Sequence, residues 1–170
     1  MAGPLSGIRI VDLTAVLMGP YATQSLGDMG ADVIKVEALG GDITRQIGPM
    51  RNPGMGPVYM NANRSKRSLA LNLKSPEGRD VLLRLAEKAD VFVYNMRPSA
   101  MARLGLTYED ICKVNPKIIY VGMFGYSQNG PYANWPAYDD LIQGISTLPH
   151  SLRGPGMARR VMSPTRWLIA

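Results

Sequence analysis

Apolar and polar positions along the chain fall into alternating blocks that predict strands and helices in turn. Residues 8–13 form a short apolar run rich in β-branched side chains, the pattern of a buried strand. Gly19 and Pro20 open a helical stretch through Tyr21, Leu26 and Met29 that stops at Gly30, and residues 33–36 form a second strand. A strand, a helix and a strand within about thirty residues predict a parallel pair joined by a crossover helix. Residues 39–63, rich in Gly, Pro, Met and Asn, show no period and read as a long loop. Leu69, Leu71 and Leu73 alternate with small or polar residues, predicting a half-exposed strand over 68–73.

Ser75, Pro76 and Glu77 are a helix start: an N-cap, a proline in the first turn and an acid near the positive end of the helix. Val81, Leu82 and Leu85 line one face of that helix, which ends near Ala89. Residues 91–94 predict a strand, Pro98 opens a helix that stops at Gly105, and Thr107 caps a short helix through Ile111. Residues 117–121 read as a further buried strand. A Gly- and Pro-rich loop over 125–135 precedes a helix over 138–145. The pattern is that of a Rossmann-like open parallel α/β sheet with flanking helices, incomplete at its C-terminal end. One region, residues 1–148, carries it. Residues 149–170, broken by Pro149, Gly154, Pro155, Gly156 and Pro164, form an irregular basic tail with no apolar face.

Composition changes this picture little. Hydrophobic residues make up 46% and charged residues 19% of 170, ordinary for one globular domain. No apolar run nears the roughly 20 residues that span a bilayer, and the N-terminus lacks the flank and core of a signal peptide. A cytoplasmic location without membrane attachment is the expectation. Charge matters only through its position. The net charge is +6, but four arginines of the tail (Arg153, Arg159, Arg160, Arg166) face no acid there, leaving 15 basic against 13 acidic residues before Pro149. No basic stripe with aromatic platforms is present, so nucleic acid is not an expected partner.

Candidate chemistry is sparse. Cys112 and His150 are the only residues of their kinds, which leaves no disulfide framework, cysteine metal site or Ser-His-Asp triad to expect. Neither a G-x-G-x-x-G fingerprint nor a P-loop follows the first strand. Carboxylates and anion-binding groups remain. Asp12 ends the first strand, where it is either a ligand-facing group or, preferably, a cap for the following turn. Lys74, Arg97 and Arg103 follow strand or helix ends and are placed to hold phosphates. The cluster Arg64, Lys66 and Arg67 reads as a solvated face, whereas Asn95, Met96 and Arg97 sit where a strand ends and a cleft opens. These residues alone suggest an α/β protein that binds an anionic, nucleotide-like ligand.

An ordered set of short motifs narrows this. Residues 5–14 with Gly19 and Pro20 are followed by Gly30, Ala31, Asp32 and the run to Glu37, then Gly41 and Asp42. Asn63 to Ser68, Leu71 to Lys74, Gly78, Asp90, Asn95 to Pro98 and Arg103 to Gly105 continue it. Asn115, Pro116, Gly125, Tyr126, Gly130, Pro131, Tyr138 and Asp139 complete it. In order and spacing, residues 5–148 resemble the opening of family III (CaiB/BaiF-type) CoA-transferases. The resemblance implies transfer of CoA from an acyl-CoA to a carboxylic acid through an aspartyl-CoA intermediate, by homodimers of chains more than twice this length. It implies coenzyme A as substrate and no metal. Carried over position by position, it implies CoA contacts at Val16, Leu17 and Met18, at Leu71, Asn72, Leu73 and Lys74, at Asn95, Met96 and Arg97, and at Arg103. Tyr138 and Asp139 would line the acyl pocket. Ala38 departs from the arginine some transferases hold near CoA. Tyr138 stands where acyl-CoA racemases of the family use a histidine.

The resemblance also implies a catalytic aspartate about thirty residues beyond Tyr138, near Leu168 and Ile169, yet no aspartate follows Asp140. Read one nucleotide earlier with suitable third bases, the codons for residues 161–170 can encode a run ending in alanine, aspartate and arginine, with that aspartate across Leu168 and Ile169. The tail therefore reads as the scar of a frameshift between Pro149 and Val161. No residue of the chain is assigned as the catalytic nucleophile, and the chain by itself is expected to be an inactive CoA-binding or partner-binding piece.

Overall fold

The computed structural model describes residues 3–147; the tail expectations, including the frameshift scar and His150, lie outside the described residues. Among the described residues five strands and six α-helices follow in the order β1 (Arg9–Leu13), α1 (Met18–Asp28), β2 (Asp32–Glu37), α2 (Pro57–Ala62), β3 (Lys66–Ala70), α3 (Pro76–Glu87), β4 (Val91–Tyr94), α4 (Pro98–Leu104), α5 (Tyr108–Val114), β5 (Ile119–Gly122) and α6 (Asp139–Ile145). All strand pairings are parallel, in the order β3-β2-β1-β4-β5. This is the expected open, doubly wound sheet. Because the strands are parallel, every carboxyl end reaches the same edge.

The central strands are apolar on both faces because helices cover both. On one face Ile10, Val33 and Val93 pack with Ala31 and with Leu26 of α1. On the other, Phe92 stacks on Tyr120 at 5.5 Å, Tyr120 meets Tyr108 of α5, and the Tyr120 hydroxyl donates to the Leu106 carbonyl at 2.7 Å. α3 packs on α5 and buries Leu82 and Ala86. The caps are those the sequence predicts. Ser75 accepts from the Gly78 amide, Thr107 and Asp110 form a reciprocal capping box, and Gly105 ends α4 in the left-handed region at φ 64°.

Three expectations are corrected. Residues 39–63 are not all loop: a 3-10 turn (Ile43–Gln46) and α2 stand within them. β3 begins at Lys66 and ends at Ala70, so the leucine alternation that suggested 68–73 runs past the strand. β5 is an edge strand and not buried; Ile119 is 60% exposed. The chain divides into two compact units, Met1–Met123 and Phe124–Ala170. No helix among the described residues is long and apolar enough to cross a membrane.

Candidate functional site

The loop between β1 and α1 is held from below by buried charge. Asp12 is fully buried. It accepts from the Thr14 amide at 2.8 Å, from the Thr23 hydroxyl at 2.6 Å and from the Lys66 ammonium at 3.1 Å. Lys66 also donates to the Pro20 carbonyl and to Asn63 Oδ1. It is therefore no part of a solvated face: its stem enters β3 with 2% of the side chain exposed, while its sequence neighbours Arg64 and Arg67 do reach the surface and pair with Asp28 and Asp32. Burial pulls the Lys66 pKa down, opposed by the Asp12 carboxylate. A second buried pair lies beside it, Lys35 to Asp42 at 3.0 Å, with Lys35 also donating to the Thr14 carbonyl. Burial pushes the Asp42 carboxyl upward, but the Thr44 amide and Lys35 outweigh it and the net shift is down.

This foundation fixes an unusual backbone. Val16 has φ 74°, a left-handed conformation that a β-branched residue adopts at a cost of about 1–3 kcal/mol. The Val16 amide donates to the Asp42 carboxylate at 3.2 Å. Asn95, at the end of β4, pairs with both polar groups of Ala15: the Ala15 amide donates to Oδ1 at 2.9 Å and Nδ2 donates to the Ala15 carbonyl at 2.8 Å. Asn95 thus spends its side chain on holding the loop. Leu17 occupies the N-cap of α1 without a side-chain cap, so the first turn of this helix, beginning at Met18, presents its amide end at the carboxyl edge of the sheet. Gly19 admits no side chain there, since a Cβ would stand 2.3 Å from that of Thr14.

At the end of β2, Glu37 is buried beneath Arg45, Tyr59 and Ser68. It accepts from Arg45 Nε and Nη2 at 2.8 and 2.7 Å, from Tyr59 at 2.9 Å, from Ser68 at 2.7 Å and from the Asp42 amide at 2.8 Å. Burial disfavours its charge, yet these donors prevail and hold the carboxyl at about 2. Burial and Glu37 push the Tyr59 phenol up to about 12. Sequence reasoning missed Lys35, Glu37, Asp42, Arg45 and Tyr59 as members of the site's framework. One signal was there: a lysine inside the apolar strand 32–37 requires a buried partner.

A different arrangement follows β3. Leu71 donates its amide to the Glu37 carbonyl, and Asn72 shapes the turn into α3 by accepting from the Lys74 amide and the Ser75 hydroxyl. Beyond them a cavity of about 470 Å³ opens between α3 and α4, lined by Leu73, Lys74, Ser75, Pro76, Arg79, Ala100, Arg103 and Leu104. Leu73, Lys74 and Arg103 are expected site residues; Arg79 is an addition. Met96 and Arg97 stand in the connection from β4, with Arg97 at the N-cap of α4. Hence Val16 to Met18, Leu71 to Lys74 and Asn95 to Arg97 gather at one sheet edge, and Arg103 joins Lys74 at the cavity. Tyr138 and Asp139 belong to the second unit, at the start of α6; Tyr138 is exposed, and Asp139 Oδ1 is shielded from solvent without a hydrogen-bond partner. Among the described residues no group of three or more His, Cys, Asp or Glu side chains is arranged to hold a metal ion.

The strand order and the gathering of loops at one edge put the chain among the doubly wound α/β proteins, whose ligands bind outside the carboxyl ends of their strands. Its sequence identifies the branch. The profile of CoA-transferase family III matches residues 5–169, and the chain belongs to that family. It is 46% identical over 153 residues to succinyl-CoA:glutarate CoA-transferase of Mus musculus and 45% identical over 146 residues to acetyl-CoA:oxalate CoA-transferase of Acetobacter aceti. Those matches take in 89% and 85% of this chain but 35% and 37% of the relatives, so the chain spans little more than a third of their length. A CAIB/BAIF family protein from Brucella suis superposes with a TM-score of 0.90 at 35% identity, over 98% of this chain and 45% of that one. A protein from Mycobacterium tuberculosis does so with 0.89 at 34%, over 98% and 46%.

Proposed function

We propose that this chain forms the coenzyme A-binding part of an enzyme that moves CoA from an acyl-CoA to a carboxylic acid. The observation that carries this reading is the meeting, at one sheet edge, of an uncapped helix end, a strained and clamped loop, and a cavity flanked by Lys74 and Arg103. CoA is a long polyanion, and those features supply amide donors and cations to it. Val16, Leu17 and Met18, Leu71 to Lys74, Asn95 to Arg97 and Arg103 are its proposed contacts; Asn95 acts mainly through Ala15. Tyr138 and Asp139 are proposed to line the acyl pocket. The relatives' names each couple an acyl-CoA to a second acid, which supports the reaction class.

In the complete reaction an aspartate carboxylate attacks the thioester carbonyl, releasing CoA thiolate and leaving a mixed anhydride. The thiolate attacks the aspartyl carbonyl, expels the first acid and forms an aspartyl-CoA thioester. The acceptor carboxylate then attacks the aspartyl thioester, expelling CoA thiolate and forming a second mixed anhydride. The thiolate attacks the acceptor's acyl carbon, giving the new acyl-CoA and restoring the aspartate carboxylate. No aspartate follows Asp140, so we read the 170 residues as binding CoA without turnover, and the tail as a frameshift between Pro149 and Val161. The full-length enzyme is read as a cytoplasmic homodimer. Titration of the purified chain with CoA should give saturable binding, and an acyl-CoA transfer assay should give no product. Absence of binding contradicts the CoA reading; turnover contradicts the missing nucleophile. Sequencing the gene from codon 145 onward tests the frameshift: an uninterrupted, unrelated context removes it.

A further inference from the structure

We propose that Arg79 is the residue by which this chain recognises the 3′-phosphate of coenzyme A, a role that rests on the CoA-binding reading above. Arg79 sits in the first turns of α3 and lines the cavity that Lys74 and Arg103 also line. Its guanidinium lies over Gly105, so close that a Cβ there would stand 2.8 Å from Nη1. Gly105 is the left-handed residue that ends α4, two positions after Arg103. Arg79 and Arg103 therefore reach one cavity from two different helices, with Lys74 as the third cation on the turn after β3.

None of these three side chains forms an ion pair or a hydrogen bond with another described residue. By contrast, Arg9, Arg45, Arg64 and Arg67 each hold a carboxylate. Three cations left together around a cavity with no acid in its lining repel one another, and a ligand anion removes that repulsion. Coenzyme A offers two kinds of phosphate. Its 3′-phosphate is a monoester with close to two negative charges at neutral pH, whereas each phosphorus of its pyrophosphate carries one. The denser charge is drawn to the place where cations converge, and an arginine fork can hold two of its oxygens at once.

The test is calorimetric titration of the 170-residue chain with coenzyme A and with 3′-dephospho-coenzyme A, for the natural sequence, Arg79→Gln and Arg79→Lys. The natural chain is expected to prefer coenzyme A by about tenfold or more. Arg79→Gln should abolish most of that preference while leaving the affinity for the dephospho form and the melting temperature unchanged. Arg79→Lys, which keeps the charge and loses the fork, should fall between. Equal weakening of both ligands by Arg79→Gln, or an undiminished preference, overturns the proposal. So does a lowered melting temperature with the preference intact, which assigns Arg79 to the last carbonyls of α4. A natural chain that binds both ligands equally overturns the 3′-phosphate assignment alone. One that binds neither overturns the CoA reading with it.

Discussion

Two groups of cations in this fold differ in burial and in pairing. Lys35 and Lys66, below the β1–α1 loop, are almost completely buried, each 3.0–3.1 Å from a buried aspartate. Lys74, Arg79 and Arg103, around the α3–α4 cavity, are exposed and lack carboxylate partners among the described residues. The first group shapes the backbone; the second is free to meet a ligand. A buried charge needs its partner to exist at all, since removing one member strands the other in a medium that cannot solvate it. An exposed cation needs no partner to fold, and its field remains available for binding.

The largest effect that could break this contrast is Lys66→Met. It leaves the Asp12 carboxylate buried without its cation, and chemical denaturation should register a loss of about 3–5 kcal/mol. A loss below about 1 kcal/mol, the range of an exposed pair, would put Lys66 in the second group. Acid should act on the same framework through Glu37. Its carboxyl lies at about 2 in the folded chain against an ordinary 4.5, so its contribution is fully present above 4.5 and is lost as pH falls towards 2. That contribution is on the order of 3 kcal/mol. Glu37→Gln should accordingly flatten the stability profile in this window, and an unchanged acid limb would show that Arg45, Tyr59 and Ser68 do not favour the charged form.

Asn95→Leu is expected to cost about 2 kcal/mol by leaving the Ala15 amide and carbonyl unpaired, and to weaken CoA binding in parallel. Loss of stability without loss of affinity would mean that the conformation at Val16 is irrelevant to the ligand. Arg103→Gln should do the opposite: stability within about 0.5 kcal/mol of the natural chain, and CoA affinity lower by about tenfold. A melting curve and a titration on the same preparation check both.

The sequence reveals the scaffold better than the site. β1, β2 and β4 are legible because strands covered on both faces become apolar runs, and α3 and α5 because Ser75 and Thr107 announce their caps. The 3-10 turn and α2 are not, being too short to show a period. They are held instead by side-chain contacts to Glu37 from Arg45 and Tyr59, 8 and 22 positions away. β5 misleads because an edge strand of apolar residues looks like a central one until its neighbours are known. At the site, Lys66 in its run Arg64 to Arg67 looks like surface. Its burial follows from β3 lying beside β2, which carries it to Asp12, 54 residues away. Arg79 escapes notice for the converse reason: a charged residue on an amphipathic helix is ordinary until α4 is found to bring Arg103 to the same cavity. Spacing finds the elements, while the division of charges into paired and free is a property of the assembled sheet.

Amide NMR shifts of the 170-residue chain, followed during titration with coenzyme A, locate the ligand on the sheet. The largest changes are expected at residues 16–18, 71–74, 95–97 and 103, all on the carboxyl edge, with the opposite edge of the sheet unmoved. Changes concentrated at the amino ends of the strands, or none at saturating ligand, would contradict that placement.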